Sequence, residues 1–207
     1  MGMWRSAAVL AALTLVPRAT GVAAQTFAYA GQETAGPPAF SAFCRSHPGQ
    51  CARAGANISR MVLKPSRLAE LTAVNAAVNG SIREVDDAVQ HGVEDLWSLA
   101  PNGLGDCEDF ALLKRKMLLA RGWPSSVLLI TTVSTSSGEG HAVLTVVTDG
   151  GDMVLDNKTA AILPWSSTGY AFYTRQSQAN PRAWVWIDRE PTAVAGGAAR
   201  KKTTLAQ

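Results

Sequence analysis

Nowhere in its 207 residues does the chain carry a Cys-x-x-Cys or His-x-x-x-His pair, an EF-hand loop or an internal repeat. Nor does it hold an apolar run of the roughly 20 residues that a membrane-spanning helix needs. Charge of one sign is missing too, with 19 Lys+Arg against 16 Asp+Glu. Without a basic stripe or patch there is no electrostatic footprint for nucleic acid or an anionic membrane. Aromatics are sparse at 7% and charged residues reach only 17%, whereas 47% of residues are hydrophobic. That balance excludes a disordered, collagen-like or coiled-coil chain and fits one globular domain.

What is present begins with an export signal. Arg5 precedes the apolar run Ala7 to Val16, Pro17 follows it, and Val22-Ala23-Ala24 makes a small-residue cleavage site before Gln25. Residues 1–24 therefore read as a signal peptide and the protein as periplasmic. Cleavage would remove Arg5 and Arg18 and no acid, which leaves a net charge of +1. Residues 25–40, rich in Ala, Gly and Pro, read as a flexible lead-in. Residues 41–190 form the expected domain, and 191–207, which lack an apolar period, a disordered tail.

In an oxidising compartment thiols that can pair usually do. Cys44 and Cys51 flank a His47-Pro48-Gly49 turn that can bring them together, so a disulfide is expected; two reduced thiols are the alternative. Cys107 is left over, which in an exported chain marks an intermolecular partner or a reactive thiol.

Along the domain a helix is predicted from Pro65-Ser66, with Leu68, Leu71, Val74 and Val78 on its apolar face and Gly80 as its stop. Residues 81–104 fit a helix or an irregular connection equally well. A second helix is predicted from an Asp106 N-cap to Gly122, burying Phe110, Leu113, Met117 and Leu118, with Lys114, Arg115, Lys116 and Arg121 toward its C-terminal end. The period then becomes strand-like through Ser126–Val133, His141–Val147, Asp152–Asp156 and Trp184–Ile187. Helices followed by an antiparallel sheet make an α+β domain.

Cys107 opens its helix, where unpaired backbone N–H groups and the helix dipole favour a thiolate and could stabilise an oxyanion. His141 begins a strand, and Asp156 ends the next. In a hairpin with a short even-numbered loop, directly paired positions sum to an odd number, so these two side chains share a face and lie opposite or diagonal. A carboxylate there would orient the imidazole and fix the tautomer that accepts a thiol proton.

The blocks Gly105-Asp106-Cys107-Glu108-Asp109-Phe110-Ala111, Gly140-His141-Ala142-Val143-Leu144-Thr145-Val146 and Val154-Leu155-Asp156-Asn157 resemble the bacterial transglutaminase-like cysteine proteinases, a family that includes the LapG-type periplasmic proteases. The likeness takes in Cys44 to Cys51, Trp97, Lys114-Arg115, Trp165–Tyr170, Gln176-Ser177-Gln178 and Trp184-Val185. It implies a papain-like or transglutaminase-like core, with the nucleophile's helix packed on an antiparallel sheet. It also implies Cys107 as nucleophile, His141 as general base and acid, Asp156 as the orienting group, and an amide bond of a secreted or surface protein as substrate. The chemistry itself would need no cofactor.

The acids beside Cys107 oppose a thiolate, a penalty that a bound cation would cancel. LapG-type relatives depend on calcium, which implies Asp106 and Glu108 as calcium ligands; helix capping alone is the other reading of these acids. Three alternatives accompany the peptidase. The thioester could pass to an amine, as in a transglutaminase. The fold could serve as a non-catalytic, calcium-dependent binding module. Cys107, His141 and Asp156 could ligate zinc. Trp97 and Trp165 are expected in the core, with a cleft position as the other reading.

Overall fold

The computed structural model describes residues 26–188. The first element is a strand, β1 (Tyr29–Thr34), and not the flexible lead-in expected from composition. It pairs antiparallel with the last strand, Trp184–Asp188, so backbone pairing across the length of the chain orders a segment whose side chains carry little apolar signal. The expected signal peptide and most of the expected tail lie outside the described residues.

Helix α1 (Pro38–Ser46) starts on a proline, which supplies helical φ where no N–H is needed. Its Phe40 meets Trp97 and Trp184 edge-to-face at centroid distances of 5.4 and 5.3 Å. Trp97 is thus a core residue, as is Trp165, which packs on Phe172 in a smaller second cluster. A single 3₁₀ turn, Pro48–Cys51, follows, and Cys44 is disulfide-bonded to Cys51 across a Cα–Cα distance of 5.5 Å.

Helix α2 (Pro65–Ser81) buries Leu71, Val74, Asn75 and Val78. Two details depart from the predicted pattern. Leu68 is 41% exposed, because only the later turns of α2 lie against the core. Gly80 does not stop the helix; the turn continues through Ser81, and the Ile82 N–H still bonds the Val78 carbonyl. The ambiguous stretch 81–104 is mostly irregular. It holds β2 (Arg83–Glu84), one helical turn α3 (Asp87–Gln90) and β3 (Leu104–Gly105), with β2 and β3 paired in parallel.

Helix α4 (Cys107–Ala120) is flanked by Asp106 at its N-cap position and closed by Gly122 at φ +80°. Gly122 N–H bonds the Leu119 carbonyl and Trp123 N–H bonds the Leu118 carbonyl, the paired bonds of a Schellman close. The helix buries more than its apolar stripe. Phe110 and Leu118 are buried as predicted and Leu113 and Met117 half-buried, but Lys114 and Arg115 are also inside, not at the helix's solvated C-terminal end. Arg115 donates from Nε to the Leu128 carbonyl (2.9 Å) and from its guanidinium to the Gln50 carbonyl (2.6 Å), which ties α4 to the sheet and to the disulfide loop.

The sheet comprises β4 (Leu128–Ser134), β5 (Gly140–Thr148), β6 (Gly151–Leu155), β7 (Leu163–Pro164), β8 (Ala171–Gln176) and β9 (Trp184–Asp188), with β1 at one edge. Its order is β1-β9-β8-β4-β5-β6-β7, and every neighbouring pair is antiparallel. Helix α4 packs on β4 and β5 near the middle of this order. β5 is buried from His141 to Thr148, which explains why its sequence reads as nearly continuous apolar and Thr residues. The expected α+β architecture, a helix carrying the cysteine laid on an antiparallel sheet, is what the chain forms.

Candidate active site

Three elements converge on Cys107. Gly105 immediately precedes the turn into α4, and a Cβ there would collide with the Asp109 side chain, so glycine is what lets the first helical turn close on itself. Asp109 is buried and accepts from Ser98 N–H (2.6 Å) and Ser98 Oγ (3.0 Å), which fastens the preceding loop to the helix start. The backbone N–H of Ala142 on β5, the residue after His141, faces the Cys107 thiol and favours its ionised form. The thiol in turn donates to Glu108 Oε2 at 3.2 Å.

His141 and Asp156 meet as the hairpin arithmetic predicts. β5 and β6 pair Thr145 with Val154 and Leu144 with Leu155, a register that sets Asp156 diagonal to His141. His141 Nε2 lies 2.9 Å from Asp156 Oδ1, and both side chains are buried. The other carboxylate oxygen accepts Tyr170 Oη at 2.6 Å, and Lys158 N–H donates to Oδ1 at 3.1 Å. Burial works to raise the Asp156 pKa, but the bonds from His141, Tyr170 and Lys158 outweigh it and hold the carboxyl below its usual range. The Tyr170 ring stands edge-on to the imidazole, with centroids 5.5 Å apart. Tyr170 falls within the block Trp165–Tyr170, yet nothing in its spacing from Asp156 shows that it would bond that carboxylate.

The acids beside the nucleophile form a compact group. One oxygen each from Asp87, Asp106 and Glu108 lie within 4.8 Å of one another. Asp106 and Glu108 are candidates from sequence; Asp87 is not, because it sits 19 positions before Asp106 in the mostly irregular stretch 81–104. The Asp86-Asp87 doublet was its only signal. Burial, then the neighbouring Asp106, pushes the Glu108 carboxyl up to about 9, and burial raises Asp106 as well. The Cys107 thiol is pushed well above its ordinary value, first by burial and then by Glu108. At neutral pH this arrangement holds a protonated thiol, against the helix-dipole argument taken alone.

Could these residues hold a cation? The donor set is oxygen only, as hard divalent cations prefer. Asp87 Oδ1 and Asp106 Oδ1 are buried with no hydrogen-bond partner among the described residues, which is costly unless something charged faces them. The residues present fit calcium. The zinc alternative has no such support: His141 Nε2 and Asp156 bond each other, and the converging ligand group excludes both.

The family model described as bacterial transglutaminase-like cysteine proteinase BTLCP matches residues 30–192. The chain belongs to this family. Its members are cysteine proteinases, so a protein substrate follows at the level of class. Among solved structures, calcium-bound LapG of Legionella pneumophila aligns at 25% identity and a TM-score of 0.50, covering 65% of this chain and 77% of that one. EGTA-treated LapG of the same organism aligns at 30% identity and a TM-score of 0.47, covering 55% of this chain and 64% of that one. The match therefore spans less than two thirds of the EGTA-treated protein's length. A search of curated protein sequences gave no match. Among the described residues, no helix is long and apolar enough to cross a membrane.

Proposed function

We propose that the chain is a periplasmic cysteine peptidase that hydrolyses an amide bond of a secreted or surface protein through Cys107, His141 and Asp156. The observation that carries this reading is the buried His141–Asp156 hydrogen bond of 2.9 Å, made by the residue before Ala142, whose N–H faces the Cys107 thiol. An ionised Asp156 keeps the proton on Nε2 of a neutral His141 and so leaves Nδ1 as the basic nitrogen. Nδ1 takes the thiol proton as Sγ attacks the substrate carbonyl. The same proton goes to the departing amine when the tetrahedral intermediate collapses to a thioester. Water, deprotonated by His141, then releases the acid and restores the thiol. Backbone N–H groups at the start of α4 are placed to stabilise the oxyanion.

Asp87, Asp106 and Glu108 would hold a calcium ion. When bound, that ion supplies positive charge beside three carboxylates that otherwise oppose the thiolate. The export signal read at residues 1–24 supports the periplasmic location.

Labelling of the mature protein with iodoacetamide, with calcium and with chelator, tests the proposal. Fast labelling that disappears in Cys107→Ala and slows at least tenfold in His141→Ala and Asp156→Ala is expected, with a further fall on chelation. Labelling no faster than that of a free thiol under either condition would leave a binding module on a peptidase fold. Hydrolysis and transamidation separate on product mass, as two fragments or as a cross-link.

A further inference from the structure

The chain leaves the sheet at Asp156. Pairing of β6 with β5 ends at Leu155, β7 begins at Leu163, and residues 156–162 between them have no regular structure. Two bonds tighten this stretch locally, from Lys158 N–H to Asp156 Oδ1 at 3.1 Å and from Ala161 N–H to Thr159 Oγ1 at 3.1 Å. Neither ties its backbone to the rest of the domain. That attachment comes from α2. Asn79 Nδ2 donates to the Asp156 carbonyl at 2.9 Å and to the Thr159 carbonyl at 3.3 Å. Asn75 Nδ2 donates to the Thr159 and Ala160 carbonyls at 3.3 and 3.2 Å.

Asn75 sits on the buried face of α2 with Leu71 and Val78, at 0% exposure, where a leucine would pack without a polar atom. Asparagine is a poor residue for a helix interior, and a buried amide costs free energy unless it is bonded. Asn79 lies one turn further on, so both amides project from the same face of the helix. Asn75 Oδ1 and Asn79 Oδ1 are buried with no hydrogen-bond partner among the described residues, so the bonds each amide makes are those of its nitrogen. An amide NH₂ has two N–H donors, one for each carbonyl that it meets here. Asn79 thereby joins the two ends of the turn 156–159, and Asn75 extends the attachment to Ala160. A reversed amide would set oxygen against oxygen, so the carbonyls also fix which way each amide points.

We propose that Asn79, supported by Asn75, is a positioning residue for Asp156: the amide pair on α2 clamps the backbone of 156–160 and so keeps the Asp156 carboxylate within bonding distance of His141. The clamp acts on the main chain, whereas His141, Tyr170 and Lys158 bond the carboxylate itself. The proposal rests on the peptidase reading for its functional meaning. The clamp can be measured without any substrate.

The test is a double-mutant cycle on the mature protein, read by iodoacetamide labelling of Cys107 and by hydrogen exchange at the Lys158 amide. Asn79→Leu keeps the size of the side chain and removes the donor. It should slow labelling by about three- to tenfold and speed exchange of the Lys158 N–H by about fivefold or more. In an Asp156→Ala background the same substitution should change labelling by less than about twofold, because the group it positions is already gone. Asn75→Leu, which leaves the Asp156 carbonyl bonded, should slow labelling less than Asn79→Leu does. Should Asn79→Leu fail to fold, Asn79→Ala makes the same deletion with less bulk. Wild-type exchange of the Lys158 N–H in the folded variant, or an equal slowing of labelling in both backgrounds, would overturn the proposal and leave a packing residue. So would wild-type labelling of Asn79→Leu where His141→Ala is slowed. Labelling of His141→Ala reports separately on the peptidase reading. Undiminished labelling there, alongside faster Lys158 exchange in Asn79→Leu, would sink the triad and not the clamp.

Discussion

The Asp156 carboxylate takes part in three hydrogen bonds of different kinds: with an imidazole, a phenol and a backbone N–H. Of these, the Tyr170 bond is the simplest to remove. Tyr170→Phe keeps the ring edge against His141 and deletes only the donor to Oδ2. A hydrogen bond to a charged acceptor contributes about 1.5–3 kcal/mol, part of which water recovers at this half-buried position. Iodoacetamide labelling of Cys107 should slow by about three- to tenfold, with a loss of stability of about 1 kcal/mol. A variant that labels at the wild-type rate would show that His141 and Lys158 suffice to hold the carboxylate. Lys114 shows what one residue type conceals from sequence reading. A lysine in a helix's second half reads as a solvated charge that complements the dipole, and only the packing of α4 on α2 and the sheet puts it inside.

Two devices set the position of α4 as an element. At its C-terminal end Gly122 adopts φ +80°, and a Cβ there would meet open space, so a substitution pays backbone strain and nothing else. Gly122→Ala should destabilise the protein by about 1 kcal/mol, seen as a Tm lowered by about 2–4 °C with labelling of Cys107 unchanged. At the other side, the disulfide loop offers the Gln50 carbonyl to Arg115. Opening a loop this short by Cys44→Ser with Cys51→Ser should cost about 2 kcal/mol. Titration of the denatured, unreduced mature protein should count one free thiol, and three would remove the bridge. Gly122 announced itself in the sequence as a helix stop. The bond between Arg115 and the disulfide loop did not, because its partners stand 65 positions apart.

Across the whole molecule, several buried carboxyls bind protons more tightly than they would in an unfolded chain. Glu108 is raised from 4.5 to about 9 and Asp109 from 3.8 to about 7. Between pH 4.5 and 7 the native state therefore holds more protons than the unfolded state, and stability must fall as pH rises through that window. Lys114, lowered from 10.5 to about 7, acts with the opposite sign only above pH 7. In chelator the Tm should decline from pH 5 to pH 7. Calcium should raise the Tm most at the upper end, because it binds the ionised carboxylates and releases their protons. A Tm flat across the window in chelator would show that these carboxyls do not hold their protons in the native state, and a Tm insensitive to calcium at pH 7 would show that the cluster of Asp87, Asp106 and Glu108 is not a cation site.

The sequence by itself determined the chemistry-bearing short blocks, the helix start at Asp106-Cys107, the hairpin that sets His141 beside Asp156, and the short turn that can bring Cys44 to Cys51. Each rests on neighbours close along the chain, where period, caps and parity act. Tertiary structure alone decided that residues 29–34 form a strand, that Asp87 joins Asp106 and Glu108, that Tyr170 bonds Asp156 and that Lys114 is buried. Those contacts join segments distant in sequence, and a residue's type does not say which remote backbone or carboxylate the fold will bring to it.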